Sequence, residues 1–117
     1  VTGTVAPGGV GTVGTLTFAN TPALNGSTLL VDTRTNGTCD KLAVAASLSL
    51  AGLSLQMADT AQMAGYSYEI VSCTGDLTGT FGSAPNLPAT WLVRYDRTPG
   101  AGKVLLIHNL GTLITIR

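Results

Sequence analysis

The chain has 117 residues, enough for one domain, of which 44% are hydrophobic and only 10% are charged. Six basic and six acidic side chains cancel, which excludes the basic surface that binding to nucleic acid or to an anionic membrane needs. No segment has the roughly 18 to 20 consecutive apolar residues of a membrane-spanning helix, so no membrane span is predicted.

Short runs of Thr, Val, Leu and Ser, separated by glycine, predict β-strands along the whole chain. Lys and Glu, which build most helix surfaces, occur only as Lys41, Lys103 and Glu69. One helical turn is predicted within 59–65. From the N-terminus, the predicted strands are 15–18, 27–32, 41–44, 47–50, 53–57, 66–73, 90–95, 103–108 and 113–116.

Two all-β folds fit this pattern. Leucines alternate with small polar residues over 48–55, which is typical of strands buried on one face, and Ala51-Gly52 predicts a corner between two of them. Short strands joined by one or two small residues favour a solenoid with inward apolar columns. Asn25-Gly26 and Asn36-Gly37 are instead typical of the tight turns in a β-sandwich. The residues alone leave both folds open.

A family resemblance spans roughly residues 3 to 117 and depends on the order of its motifs. The motifs are Ala6-Pro7-Gly8-Gly9 with 13–18, 27–32 with 39–44, 50–55, and 66–73 with 77–81. They resemble the autotransporter-associated β-strand repeat of autotransporter passengers. The chain departs from that pattern at Ala45-Ala46, where a glycine is common, and at Cys39 and Cys73, which replace small residues.

The resemblance implies the C-terminal part of an autotransporter passenger, folded as a right-handed parallel β-helix that ends in a cap. Residues 1–117 would form a single β-solenoid domain at the end of a longer passenger. The implied role is structural, as a non-catalytic display module of a secreted or cell-surface bacterial protein, and the implied location is extracytoplasmic. Upstream turns of the parent protein are the expected partners, and exposed solenoid ends favour self-association.

Two cysteines, Cys39 and Cys73, are too widely spaced for the CxxC motif of redox and zinc sites. Two buried thiols and a disulfide between neighbouring strands both fit this spacing. We predict that the two residues lie on nearby turns of the chain, where a bridge between them is possible.

Aromatic side chains are the candidate ligand contacts, because they would stack on sugar rings if they shared one exposed face. The candidates are Trp91, Tyr66, Tyr68 and Tyr95. Packing in the core or at a sheet edge is the simpler interpretation. An adhesin-like module that binds glycan or protein is therefore the alternative function.

No catalytic residue, cofactor or metal is predicted. The aspartates are spread singly, whereas a glycosidase needs two facing carboxylates, so a polysaccharide-acting enzyme is the third hypothesis. Gly9–Gly14 spells GxGxxG, but a strand pattern follows it in place of the helix that a dinucleotide site needs. His108 is the single histidine and has no partner that the sequence can place beside it.

Overall fold

A computed structural model of the chain describes residues 3–9, 12–63 and 67–108. These residues form ten β-strands and one 3-10 turn over Thr60–Gln62, so the predicted all-β class is confirmed. The described part contains no helix long and apolar enough to cross a membrane. The strands are β1 (Gly3–Val5), β2 (Thr15–Phe18), β3 (Ser27–Val31), β4 (Lys41–Val44), β5 (Leu48–Ser49), β6 (Ser54–Met57), β7 (Ser67–Cys73), β8 (Leu77–Thr78), β9 (Trp91–Asp96) and β10 (Gly102–His108).

The strands make three open sheets. The first has the order β1-β3-β6 and the third pairs β5 with β8, all in parallel. The second has the order β2-β4-β7-β10-β9, in which the first three strands are parallel and the last two join antiparallel. Along the chain, β3, β4 and β5 supply one strand to each sheet, and β6, β7 and β8 repeat that order. Each such set of three strands is called a layer below.

Apolar side chains stack in register between the layers. Leu29 lies opposite Leu55 in the first sheet, and Leu48 lies opposite Leu77 in the third. All four are buried. Because side chains alternate along a strand, a matched register places successive apolar residues in one column on the inner face. The stacked columns form the hydrophobic core between the sheets.

β9 and β10 pair antiparallel because only a short connection joins them. Residues 97–101 alone join β9 to β10, and the Ala101 N–H donates to the Thr98 carbonyl in the turn. A parallel pair needs a crossover of a dozen or more residues, so this connection allows only a hairpin. β10 is antiparallel to both β9 and β7, so the described fold is all-β with mixed pairing, which both the predicted β-helix with a cap and the alternative β-sandwich fit. The predicted strand 113–116 lies outside the described residues.

The predicted corner at Ala51-Gly52 is present between β5 and β6. Gly52 has a φ of +76°, and its carbonyl accepts a hydrogen bond from the Gly26 N–H in the preceding layer. A Cβ on Gly52 would lie 1.8 Å from the Asn25 Oδ1. The corner therefore needs glycine both for its backbone conformation and for the close approach of Asn25.

We expect the substitution Gly52→Ala to lower the free energy of unfolding by about 1–3 kcal/mol, because it combines left-handed strain with a clash. Gly37→Ala is the matched control, since Gly37 has a φ of +92° and open space around it. Urea unfolding of both variants separates the two causes. Equal losses would contradict a contribution from the clash with Asn25.

Candidate functional site

A buried carboxyl group, that of Asp40, ties two layers together at a corner. Asp40 is fully buried just before β4. Its Oδ1 accepts a hydrogen bond of 2.8 Å from the Gly14 N–H, which lies 26 positions earlier and precedes β2. Its Oδ2 accepts one of 2.9 Å from the Asp32 N–H at the end of β3. One carboxyl group thus pairs two backbone donors that the strand ladders leave unpaired.

A second carboxyl group shares this corner. Asp32 is 3% exposed, and its carboxyl group lies beside that of Asp40. Burial raises the pKa of Asp40, and the neighbouring Asp32 charge acts in the same direction. The Arg34 guanidinium lies 4.0 Å from the Asp32 carboxylate. Both Asp40 carboxylate oxygens already accept hydrogen bonds from backbone N–H groups, so this arrangement suits a structural role. The pair of Asp32 and Asp40 is called the clasp below.

A row of charges crosses the outer face of the second sheet. The Lys41 ammonium on β4 donates a hydrogen bond to the Glu69 carboxylate on β7, and the Lys103 ammonium on β10 lies 3.8 Å from the same carboxylate. All three side chains are partly exposed. Such pairs contribute little to stability at a wet surface, so the row is a solvated face that bridges three strands.

Two of the predicted ligand-contact aromatics belong to the core. Tyr68 is 1% exposed, and its hydroxyl donates a hydrogen bond of 2.9 Å to the Arg34 carbonyl. Trp91 is 5% exposed, and its ring lies between those of Tyr68 and His108, at centroid distances of 5.4 and 4.7 Å. Buried rings cannot present the exposed platform that sugar stacking requires.

Of the remaining two aromatic candidates, only Tyr95 lies within the described residues. Tyr95 is half-buried, and its hydroxyl accepts a hydrogen bond of 3.0 Å from the Phe81 N–H. The Arg97 guanidinium covers its ring at 5.1 Å from the centroid. Tyr66 lies outside the described residues. The three described candidates, Tyr68, Trp91 and Tyr95, therefore do not form one exposed face.

No disulfide joins the two candidate cysteines, and both thiols are free. Cys73 lies opposite Val44 in the parallel pairing of β4 with β7, whereas Cys39 lies five positions before Val44. At a strand rise of about 3.3 Å per residue, the two cysteines are separated by about 16 Å along the sheet. A disulfide needs Cα atoms within about 7 Å. Cys39 precedes β4, and Cys73 ends the neighbouring strand β7, so the two residues lie at opposite ends of this strand pair.

The Cys39 thiol is also unsuited to nucleophilic chemistry. Its Sγ donates to the Glu69 carbonyl at 3.4 Å. Burial, reinforced by the charges of Asp40 and Glu69, raises its pKa to about 11. A reactive cysteine needs the opposite shift, since the thiolate is the nucleophile.

Each strand of the last layer, β6, β7 and β8, has outer-edge groups that pair with a different partner. In the first sheet, the Asn86 side chain accepts a hydrogen bond from the Met57 N–H and donates one to the Met57 carbonyl, at 3.0 and 2.8 Å. In the third sheet, the Arg97 guanidinium donates to the carbonyls of Leu77 and Gly79, at 3.0 and 2.7 Å. In the second sheet, β10 pairs with β7. These three devices, called the end cap below, satisfy the outer edge groups of β6, β8 and β7.

Sequence reasoning missed the cap residues for an identifiable reason. Asn86 lies in the proline-containing stretch 82–88, which the sequence predicts only as a loop, and Arg97 follows a predicted strand. A side chain that pairs with a strand edge has no local pattern, because its partners lie 29 and about 20 positions away. The available signal was Arg97 beside the turn residues Pro99-Gly100, since a guanidinium carries five N–H donors that need acceptors.

Within the described ranges, no three His, Cys, Asp or Glu side chains lie together as metal ligands would. A comparison with protein-family models found no matching family, and a comparison with curated proteins found no matching sequence. The resemblance to the autotransporter-associated β-strand repeat stays a prediction.

The clasp is tested by two matched amide substitutions. Asp40→Asn supplies one acceptor oxygen for two buried N–H groups, so we expect it to lower the free energy of unfolding by about 1–3 kcal/mol. Asp32→Asn keeps both of those hydrogen bonds and removes a like charge, so we expect it to preserve or raise stability at neutral pH. Chemical unfolding of both variants would contradict the clasp if Asp32→Asn were the more destabilising.

The clasp also predicts a pH dependence. The fold raises the pKa of Asp40 above its ordinary value of 3.8, so protonation of Asp40 favours the folded chain. This contribution is fully present below pH 3.8 and is lost as the pH rises through the raised folded value. We expect Asp32→Asn to weaken the contribution, since it removes the neighbouring charge. Urea unfolding midpoints, measured from pH 3 to pH 7 for both proteins, provide the comparison.

Thiol counting tests the cysteine geometry. Without reductant, the denatured chain should react at two thiols, and a reduced sample should give the same count. In the folded chain, a pKa of about 11 in place of 9.0 leaves Cys39 with about a hundredfold less thiolate, so its alkylation should be correspondingly slow. A count of zero without reductant would contradict the separation of the two cysteines.

Proposed function

We propose that the chain is a non-catalytic structural module, in which stacked layers form a right-handed parallel β-helix that ends in a cap. The observation that carries the proposal is the difference between the two ends of the stack. At one end, the strands of the last layer, β6, β7 and β8, pair with the end cap, whereas the first strand of each sheet at the other end pairs on one side only. Such an asymmetric stack suits the terminal segment of a longer rod, because open layers add neighbours and a capped layer stops the addition.

The open end consists of the first strand of each sheet. Among the described strands, β1 pairs only with β3, β2 only with β4, and β5 only with β8. The outer N–H and C=O groups of β2 thus have the arrangement that another parallel strand would extend. Upstream turns of a parent protein are the proposed partners at this end.

The spacing between layers supports a coil over a sandwich. Hydrogen bonds that cross between layers join residues 26 positions apart, as in Gly14 to Asp40, or 29 apart, as in Ser54 to Ser83. A near-constant offset is what a coil of similar turns produces, whereas a sandwich joins its strands through hairpins and crossed connections of unequal length. Parallel pairing in all three sheets supports the same arrangement.

The proposed display outside the cell is based on the family resemblance alone. A scaffold with few charges and a stiff ladder of hydrogen bonds fits that setting, since its role is to hold its shape. The adhesin-like and polysaccharide-acting alternatives each need an exposed aromatic face or an accessible acid pair. Tyr68 and Trp91 are buried, as are Asp32 and Asp40, so no observation favours either alternative.

Duplication of one layer tests the proposal. Residues 28–53 span one complete turn, because Thr28 lies opposite Ser54 at the start of the next layer. We expect a chain with a second copy of 28–53 inserted after Leu53 to fold, to gain strand signal in circular dichroism, and to unfold at no lower temperature. In a stack, each added layer contributes its own core and its interface with its neighbours.

The matched control carries the same inserted residues in scrambled order, which keeps the composition but removes the register. We expect this control to unfold at a lower temperature or to aggregate. If the duplicated and scrambled chains were equally destabilised, the layers would not be interchangeable units, and the stacking module would be rejected.

A further inference from the structure

The terminal edge of the second sheet differs from those of the other two. Asn86 and Arg97 cover the last strands of the first and third sheets with side-chain hydrogen bonds. No described strand or side chain covers the outer edge of β9, which pairs with β10 on its other side. Leu92 on β9 is 51% exposed. An uncovered strand with an exposed leucine is a ready template for pairing with another chain.

The residues of β9 favour one particular pairing. In an antiparallel pair of two copies centred on Tyr95, Arg94 of each copy lies opposite Asp96 of the other, which forms two symmetric charge pairs. Leu92 then lies opposite Thr98. A pair centred on Arg94 would instead place two arginines opposite each other. Charge complementarity therefore selects the register centred on Tyr95.

Both charged groups are available for this contact. Arg94 is exposed and takes part in no ion pair within the described part of the chain. The Asp96 carboxylate accepts hydrogen bonds from the Thr98 N–H and hydroxyl, which lower its pKa and keep it charged. Each carboxylate oxygen has more than one lone pair, so Asp96 can accept from an arginine as well.

We propose that β9 is a self-recognition edge, through which two copies of the chain pair antiparallel about Tyr95 and join their second sheets into one continuous sheet. In this register only residues 94–96 of β9 lie opposite β9 of the other copy, so the contact is small, and the dimer is weak and forms as the concentration rises. The edge lies at the capped end of the stack. It leaves the open end free, and the proposal does not depend on the function proposed above.

Charge exchange tests the register. Sedimentation equilibrium over a range of concentrations should detect the dimer of the unmodified chain. We expect Arg94→Asp to raise the dissociation constant by about tenfold or more, since it replaces two attractive pairs by two repulsive ones. The double variant Arg94→Asp with Asp96→Arg restores the complementarity with unchanged composition, and we expect it to recover the dimer.

Hydrogen exchange identifies the edge that pairs. As the concentration rises, outward amides of β9 should gain protection, whereas those of β2 at the open end should not. Circular dichroism and thermal unfolding of each variant verify that it is folded. A monomer at all concentrations, an unchanged dissociation constant for Arg94→Asp, failure of the folded double variant to recover the dimer, or protection at β2 in place of β9 would each overturn the proposal.

Discussion

The register of the parallel ladders is the constraint on which the rest of this structure depends. Leu29 faces Leu55 and Leu42 faces Val71, so apolar residues meet across each layer boundary. Because side chains alternate between the two faces of a strand, a slip of one residue would turn these side chains towards water. Each buried leucine contributes roughly 1.5–3 kcal/mol, so even a short strand gains a strong preference for one register.

Polar side chains maintain this register where the backbone turns and its ladder stops. Asp40 pairs the N–H groups of Gly14 and Asp32, and Asn86 pairs both groups of Met57. Each is placed where a regular strand would have supplied the missing partner. The cost is visible at Asp40, where burial opposes ionisation. Two buried N–H groups without hydrogen-bond partners would cost more free energy than the burial of this carboxyl group.

The treatment of its sheet edges explains how this weakly charged chain limits association between copies. With only 10% charged residues, the surface offers little repulsion between copies. A different group therefore pairs with the last layer in each sheet. This group is the Asn86 side chain in the first sheet, the Arg97 side chain in the third and the β9–β10 hairpin in the second. With the hairpin present, the outer edge of the second sheet is that of β9. In the proposed pairing, association through this edge depends on the charges of Arg94 and Asp96.

The sequence by itself determined the strand content and most strand positions, because alternation of apolar and small polar residues is a local property of the chain. It also determined the corner at Ala51-Gly52, since only glycine adopts that backbone conformation without strain. Tertiary structure alone decided which strands pair. It placed Cys39 and Cys73 at opposite ends of neighbouring strands, buried Tyr68 and Trp91, and brought Asp40 to Gly14. These outcomes depend on contacts between residues 26 or more positions apart, or on the short hairpin connection, and no local pattern specifies the register that creates them.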